Sequence, residues 1–565
     1  MPTNNQSKSL NNKTFDTVII GSGVGGLSAA ICLSRAGQKV LVVEQHDVPG
    51  GWCHSFYLNG DRFTPGVHYV GLVGEGLSTS DLFAGLGIAN DLVFYRQNPD
   101  AFEHCWIGEE RFDYPADFKT FENRLIKRFP HEEKNIIKYL KLIGNVGYQI
   151  GLIPKINGLW QQITIPFRTK HMGKYSPFSL KRVLGWHIKD PLLQRILNIQ
   201  FGDHGLPPAK ASFIFHAAIM HHYHKGGFYP LGGGGAIVKA MTNVIKANDG
   251  IIKTSTAVKR ILLENTGKIK KAIGVELANG EQVFANRIIS NADPGITYQK
   301  LIGEEHLSSK LKKKLSKTKY SCTSLMLFIT VDMDLTKIGI DSGNIWRMPD
   351  KDMDELYDDM QKKDLLEDEE FPGMFISCTT LKDPSSFNGK HHTIEAITFI
   401  NYDAFESFNS QNIERSEAYL KFKEQLIAKF FVTLEKVIPG ISDHVVQKEL
   451  GTPLTNKHYI NSTRGSVYGT EKSLKYIGPF AYKSKSEIEN LYMCGASIVS
   501  QGVTGASYSG VQTAAAILGC RQDDLIKPTA DQHLRVFEAE DDTNYPEWMR
   551  KKIEVKHSRL KAKKD

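Results

Sequence analysis

The stretch VIIGSGVGGLSAA, Val18 to Ala30, constrains this chain more than any other. Three glycines, Gly21, Gly23 and Gly26, stand in GxGxxG spacing between an apolar run and a helix-like pattern. An apolar strand that turns on glycine straight into a helix opens a parallel βαβ unit. One glycine makes the turn, one lets the backbone approach a pyrophosphate, and one lets helix and strand pack closely while the helix N-terminus faces the phosphates. The next run, KVLVVEQ, ends at Glu44, about where a carboxylate reaches a ribose hydroxyl. Together with Gly25, which precedes Gly26 in the same turn, these residues predict an α/β dinucleotide-binding domain.

Pro49, Gly50 and Gly51 follow shortly after Glu44, in HDVPGGWCHSF. A nicotinamide dehydrogenase is expected to run on into its next crossover helix here, whereas a second glycine pair fits backbone wrapping around a long, extended cofactor. The segment resembles the N-terminus of the phytoene desaturase, carotenoid isomerase and retinol saturase flavoprotein superfamily. Two further stretches resemble the retinol saturase branch: FTPGVHYVG from Phe63, and GDHGLPPAKASFIFHAAIMHHYHKGGFYPLGGGGAIVKAM from Gly202.

The resemblance implies FAD, held by a Rossmann-like domain assembled from separated segments, beside a substrate domain of mixed sheet and helices. By position, Val258 is expected to touch the adenine. Gly495, Ser497, Gly502 and Val503, in NLYMCGASIVSQGVTGAS, are expected to close the cofactor site where an Ala-rich helix begins. Ser497 stands where relatives commonly carry an aspartate. The expected division is residues 15–100, 231–298 and 486–530 for the FAD-binding domain and 101–230 and 299–485 for the substrate domain. Residues 1–14 read as a flexible leader and 531–565 as a basic tail.

With 565 residues, 41% of them hydrophobic, the chain can bury a large core. Its seven cysteines are scattered and never in CxxC spacing, which argues against a disulfide framework or a thiolate metal site. The polar start lacks an apolar signal region and no run nears 18 apolar residues, so a cytoplasmic chain without a spanning helix is expected. The net charge of +8 is modest, but its arrangement is not even. From Lys134 to Lys189 there are ten Lys or Arg and no Asp or Glu, interleaved with Trp160, Phe167, Phe178, Leu180, Val183 and Trp186. The chain ends on WMRKKIEVKHSRLKAKKD, eight basic residues against two acidic. This mixture predicts peripheral binding to an anionic membrane surface. No nucleic-acid recognition module accompanies the charge. The acidic run from Asp350 to Phe371 reads as a solvated surface helix.

Reduction of a carbon–carbon double bond needs hydride on one carbon and a proton on its neighbour, so an acid must lie across the substrate from the flavin. His68, Tyr69, His222 and Tyr223, with Tyr229, are the candidates. No second strand–GxGxxG–helix unit offers a built-in nicotinamide site, so the electrons are expected from or to an external partner. His216, His221, His222 and His224 match no metal-ligand spacing, and no metal is expected. The resulting expectation is an FAD-dependent oxidoreductase acting on a C=C bond of a long apolar isoprenoid, a retinoid or carotenoid, by saturation or cis–trans isomerisation. The rivals are a carotenoid desaturase on the same fold and a non-catalytic prenyl-binding protein of the GDP dissociation inhibitor type. The intact GxGxxG and Glu44 argue against the latter.

Overall fold

The strand Thr14–Ile20 is the hub of the first sheet, pairing in parallel with Val40–Val43 on one side and Gln282–Ser290 on the other. Ile251–Lys253 and Leu491–Met493 extend this parallel set at its two ends. Val258–Thr266 and Ile269–Leu277 continue it as antiparallel strands. The computed structural model describes residues 9–152, 164–267, 269–409 and 416–561. All four residues of Val40–Val43 are buried, as a strand covered on both faces requires. The helices Val24–Arg35 and Gly502–Leu518 pack together over this sheet, so closely that a Cβ on Gly510 would collide with the Gly25 carbonyl oxygen. Segments near both ends of the chain and from its middle thus build one dinucleotide-binding sheet.

The second sheet runs Val445–Gly451, Thr323–Val331, His392–Ile400, Met374–Cys378, Asn344–Met348, Glu103–Ile107 and Glu110–Tyr114. Its two longest strands are buried throughout, because each face is covered. Leu325, Leu327 and Ile329 pack with the helix Glu417–Val437. Met326 and Phe328 join a core with the helices Glu133–Leu152, Leu180–His187 and Phe213–His222. The two-residue period of the strand sends alternate side chains to the two layers.

Four stretches depart from the expectations. Leu10 is buried and Asn12 N–H donates to the Gln282 carbonyl, so order begins within the expected leader. Arg535–Glu538 pairs with Val93–Arg96, and Tyr545 and Met549 are buried against Val93 and Tyr95, so the first part of the expected tail belongs to the fold. In the basic stretch, Leu180 and Val183 lie in the core rather than on a membrane-facing surface, because their helix turns that face to Tyr139 and Phe213. The acidic run is not solvated all round: Met353, Leu356, Tyr357 and Met360 are buried on one side of its helix. Its carboxylates also meet the basic stretch and the helix after it, with Lys181 2.7 Å from Asp354 and Arg195 2.5 Å from Asp350. Trp160 lies outside the described residues.

Candidate active site

Three turns meet at the carboxyl ends of the parallel strands, where open α/β sheets bind ligands. Gly21, with φ of +90°, leaves the first strand, and a Cβ on Gly26 would collide with the Gly21 carbonyl oxygen. A Cβ on Gly25 would stand 2.7 Å from Asn291 Oδ1 and 3.0 Å from Gly495 Cα, so the middle and C-terminal segments close directly on the first. Gly51 approaches Gly23 from the second glycine pair, and Gly50 N–H donates to Ser22 Oγ at 3.1 Å.

Glu44 is buried and accepts from Ser22 N–H, Ser22 Oγ and His46 N–H at 2.7–2.9 Å. A carboxylate has about four acceptor positions, so one remains on Oε1 for a ribose hydroxyl. Thr256 N–H donates to the Glu44 carbonyl, which brings the segment leading to Val258 alongside. The helix Val24–Arg35 has no side-chain cap and no acidic residue in its first turn, and neither has Gly502–Leu518. Their unpaired N–H groups and positive dipole ends suit a pyrophosphate and an electron-rich ring edge. Val503 lies in the first turn of the second helix. Ser497 is buried and accepts from Thr470 N–H at 3.1 Å, leaving its hydroxyl proton to donate. The residues present fit FAD.

Beside this cradle lies a buried polar cluster walled by aromatic rings. The Tyr69 hydroxyl sits 2.7 Å from Glu103 Oε1 and 2.8 Å from Asp203 Oδ2. Its ring stacks on Tyr223 with centroids 4.2 Å apart. Glu103 also accepts from Trp346 Nε1 at 3.3 Å and Gln200 Nε2 at 3.2 Å. Burial lifts Glu103 to about 7, and burial with the neighbouring Glu103 charge lifts Asp203 to about 8. Gln501, the residue that begins the second uncapped helix, donates to the Asp203 carbonyl at 2.8 Å, tying the cluster to the cofactor side. Two small apolar clefts flank it. One is lined by Phe201, Trp346 and Phe375, the other by Phe102, Met220 and Tyr223.

Of the catalytic candidates, Tyr69 and Tyr223 are brought together, while His68 and His222 face other groups. His68 Nδ1 lies 2.9 Å from Glu395 Oε2, and the His68 carbonyl accepts from Lys382 Nζ at 2.8 Å. His222 Nε2 accepts from Gly71 N–H at 2.8 Å, and burial pushes this imidazole down to about 4. A neutral ring accepting through Nε2 holds the Gly71 turn and offers no proton there. Tyr229 is buried, with its hydroxyl 3.3 Å from Thr64 Oγ1. His216 is buried beside His204, and His221 stacks on His224. Among the described residues no three His, Cys, Asp or Glu converge as metal ligands.

Sequence reasoning missed three buried charged residues, Glu103, Lys382 and Glu395, and the half-buried Asp203. Lys382 Nζ is wholly buried and meets the His68 carbonyl, Asn344 Oδ1 and Ser377 Oγ, three acceptors for three N–H groups. Burial nevertheless pulls it down to about 7. The available signal was a lone charge inside an apolar strand, as in AFEHCWI and HTIEAITFI.

This fold, with its three-turn cradle and uncapped helices, defines an FAD-dependent oxidoreductase. A family model for flavin containing amine oxidoreductases matches residues 24–324, and the chain belongs to that family. It is 30% identical to the all-trans-retinol 13,14-reductase of Danio rerio, across 89% of this chain and 86% of that one. It is 27% identical to the chloroplastic prolycopene isomerase of Daucus carota, across 92% and 83%. Among solved structures, an oxidoreductase from Methanosarcina mazei shares the fold with a TM-score of 0.57 at 18% identity, covering 89% of this chain and 99% of that one.

Proposed function

We propose that the protein saturates a C=C bond of a long apolar isoprenoid, a retinoid or carotenoid, at the face of its flavin. The observation that carries this reading is the protonatable Tyr69–Glu103–Asp203 cluster, set among aromatic walls and tied through Gln501 to the cofactor helix. The names of the reductase and isomerase relatives point to the same substrate class. Bound FAD supplies hydride chemistry, with an external donor as the source of electrons. The chain's own part is to hold the polyene between Trp346, Phe375, Phe102 and Tyr223, exclude water, and keep a proton beside it.

We further propose that the enzyme takes its substrate from an anionic membrane surface. Support comes from the helices Glu133–Leu152 and Leu180–His187, which present Tyr148 and Trp186, and from Phe167 just before the helix Lys170–Tyr175, all exposed among lysines and arginines. Phe167 is 80% exposed, and the Arg182 guanidinium lies over the Phe178 and Trp186 rings. No helix among the described residues is long and apolar enough to cross a membrane.

The test is anaerobic incubation of flavin-loaded, dithionite-reduced protein with all-trans-retinol and with a carotene. Saturation shortens the conjugated system, so absorbance moves to shorter wavelength and the product gains two hydrogens. A product of unchanged mass and altered geometry would replace saturation with isomerisation. Reduced flavin that never reoxidises with any polyene overturns the reading.

A further inference from the structure

One hydroxyl between two carboxyl groups fixes a proton count. Tyr69 has a single O–H, yet its oxygen lies 2.7 Å from Glu103 and 2.8 Å from Asp203. Both contacts are hydrogen bonds only if one carboxyl carries a proton of its own and donates it to the tyrosine oxygen. Which carboxyl is protonated follows from the donors around each. Glu103 is fully buried and also receives Trp346 Nε1–H and Gln200 Nε2–H, so three donors converge on it and favour the carboxylate. The Asp203 carboxyl has the Tyr69 hydroxyl as its partner, and the Gln501 amide meets the Asp203 backbone instead. Asp203 is the acid of the pair. It is also the partly exposed one, and its chain segment is joined to the residue that starts the cofactor-facing helix.

We propose that Asp203 is the catalytic acid of the reduction, with Tyr69 as the positioning residue that swings its single proton between the two carboxyl groups. The proposal rests on the saturation reading above. In the resting site Asp203 O–H donates to Tyr69 and Tyr69 O–H donates to Glu103. During the reaction the Asp203 O–H bond breaks as a C–H bond forms on one alkene carbon. Bound reduced flavin would supply hydride to the other carbon, which accounts for the electrons as the π bond is consumed. The new Asp203 carboxylate then accepts the Tyr69 hydroxyl, while Glu103 keeps its bonds to Trp346 and Gln200. Water reprotonates Asp203 between turnovers. Beyond Tyr69 and Glu103, the titratable groups acting on this pair are Tyr223 and Tyr468, both held neutral by burial, and Lys382, which is engaged by His68, Asn344 and Ser377.

The sign of the pH dependence follows. Burial and Glu103 raise Asp203 from 3.8 to about 8, so its contribution to stability is full below about 4 and is lost as pH rises through about 8. Two measurements on the full-length holoenzyme test this. The first needs no turnover: the infrared carbonyl band of a protonated carboxyl should be present near neutral pH, fade above about 8, and be diminished in Asp203→Asn. That variant should also lose part of the decline in thermal stability on the alkaline side. The second is single-turnover reduction. Asp203→Asn should keep flavin and still perturb the flavin spectrum on adding retinol, with the rate down roughly 10²–10⁴-fold. Asp203→Glu should restore part of it, and Tyr69→Phe should cost about tenfold or less while shifting the pH profile. An Asp203→Asn enzyme with wild-type rate, or a wild type without the band, overturns the assignment. If wild type shows the band but reduces no polyene, the saturation reading fails and Asp203 is left as a buried acid without this role.

Discussion

Lys382 shows how much can hang on one buried side chain. Its ammonium meets three acceptors at once, and one of them, the His68 carbonyl, belongs to the loop that presents Tyr69. Lys382→Met leaves these acceptors without their donor, and a single unsatisfied buried group costs about 1–3 kcal/mol. The expected outcome is a destabilisation of roughly 2–4 kcal/mol in denaturant unfolding, with flavin retained and turnover reduced because the Tyr69 loop is released. Unchanged stability would remove Lys382 from this role. At this scale the sequence was least legible. Gly21, Gly26 and Glu44 announce themselves because their tasks are local, one turn and the next strand. Glu103 and Asp203 carry no such mark: Asp203 stands beside His204 in GDHGLPP, and only the fold sets it against Tyr69, 134 positions away.

Among the elements, the contact between the helices Val24–Arg35 and Gly502–Leu518 is the one the cofactor depends on. Gly510 packs against the Gly25 carbonyl, and Gly495 N–H is held by Ser509 Oγ at 2.6 Å. Gly510→Leu forces the helices apart, and overpacking of this kind costs about 1–3 kcal/mol or more. The purified variant should be folded but colourless, and flavin absorbance per chain measures it directly. A yellow variant at wild-type stoichiometry would show that the cradle tolerates the separation. The strand–turn–helix at the N-terminus could be read from sequence because its period and its glycines agree. The docking of Arg535–Glu538 on Val93–Arg96 could not, since a four-residue edge strand followed by an acidic stretch and then a basic one has the composition of a solvated tail.

For the whole molecule, the proposed membrane face and the acid-walled site lie on the same helical layer, which joins Tyr139, Leu180 and Val183 to Tyr69 and Phe375 in one core. The protein is expected to sediment with anionic vesicles and not with neutral ones, and salt should release much of it, because exposed charges are screened over about 10 Å at 0.1 M. Phe167→Ala with Trp186→Ala should weaken the salt-resistant fraction and leave turnover on detergent-dispersed polyene unchanged. Equal partition to both kinds of vesicle would assign binding to apolar insertion alone. The charge asymmetry was legible as a count, but Lys181, one of the ten, is answered by Asp352 and Asp354 from a distant acidic run, so the available positive surface is smaller than the count implies. The cofactor sheet has a consequence for biosynthesis. Its hub strand leaves the ribosome long before Leu491–Met493 and the helix Gly502–Leu518 are made. A nascent chain still lacking them carries the glycine turn without the helix that closes on it, so flavin retention reports that synthesis has passed that helix.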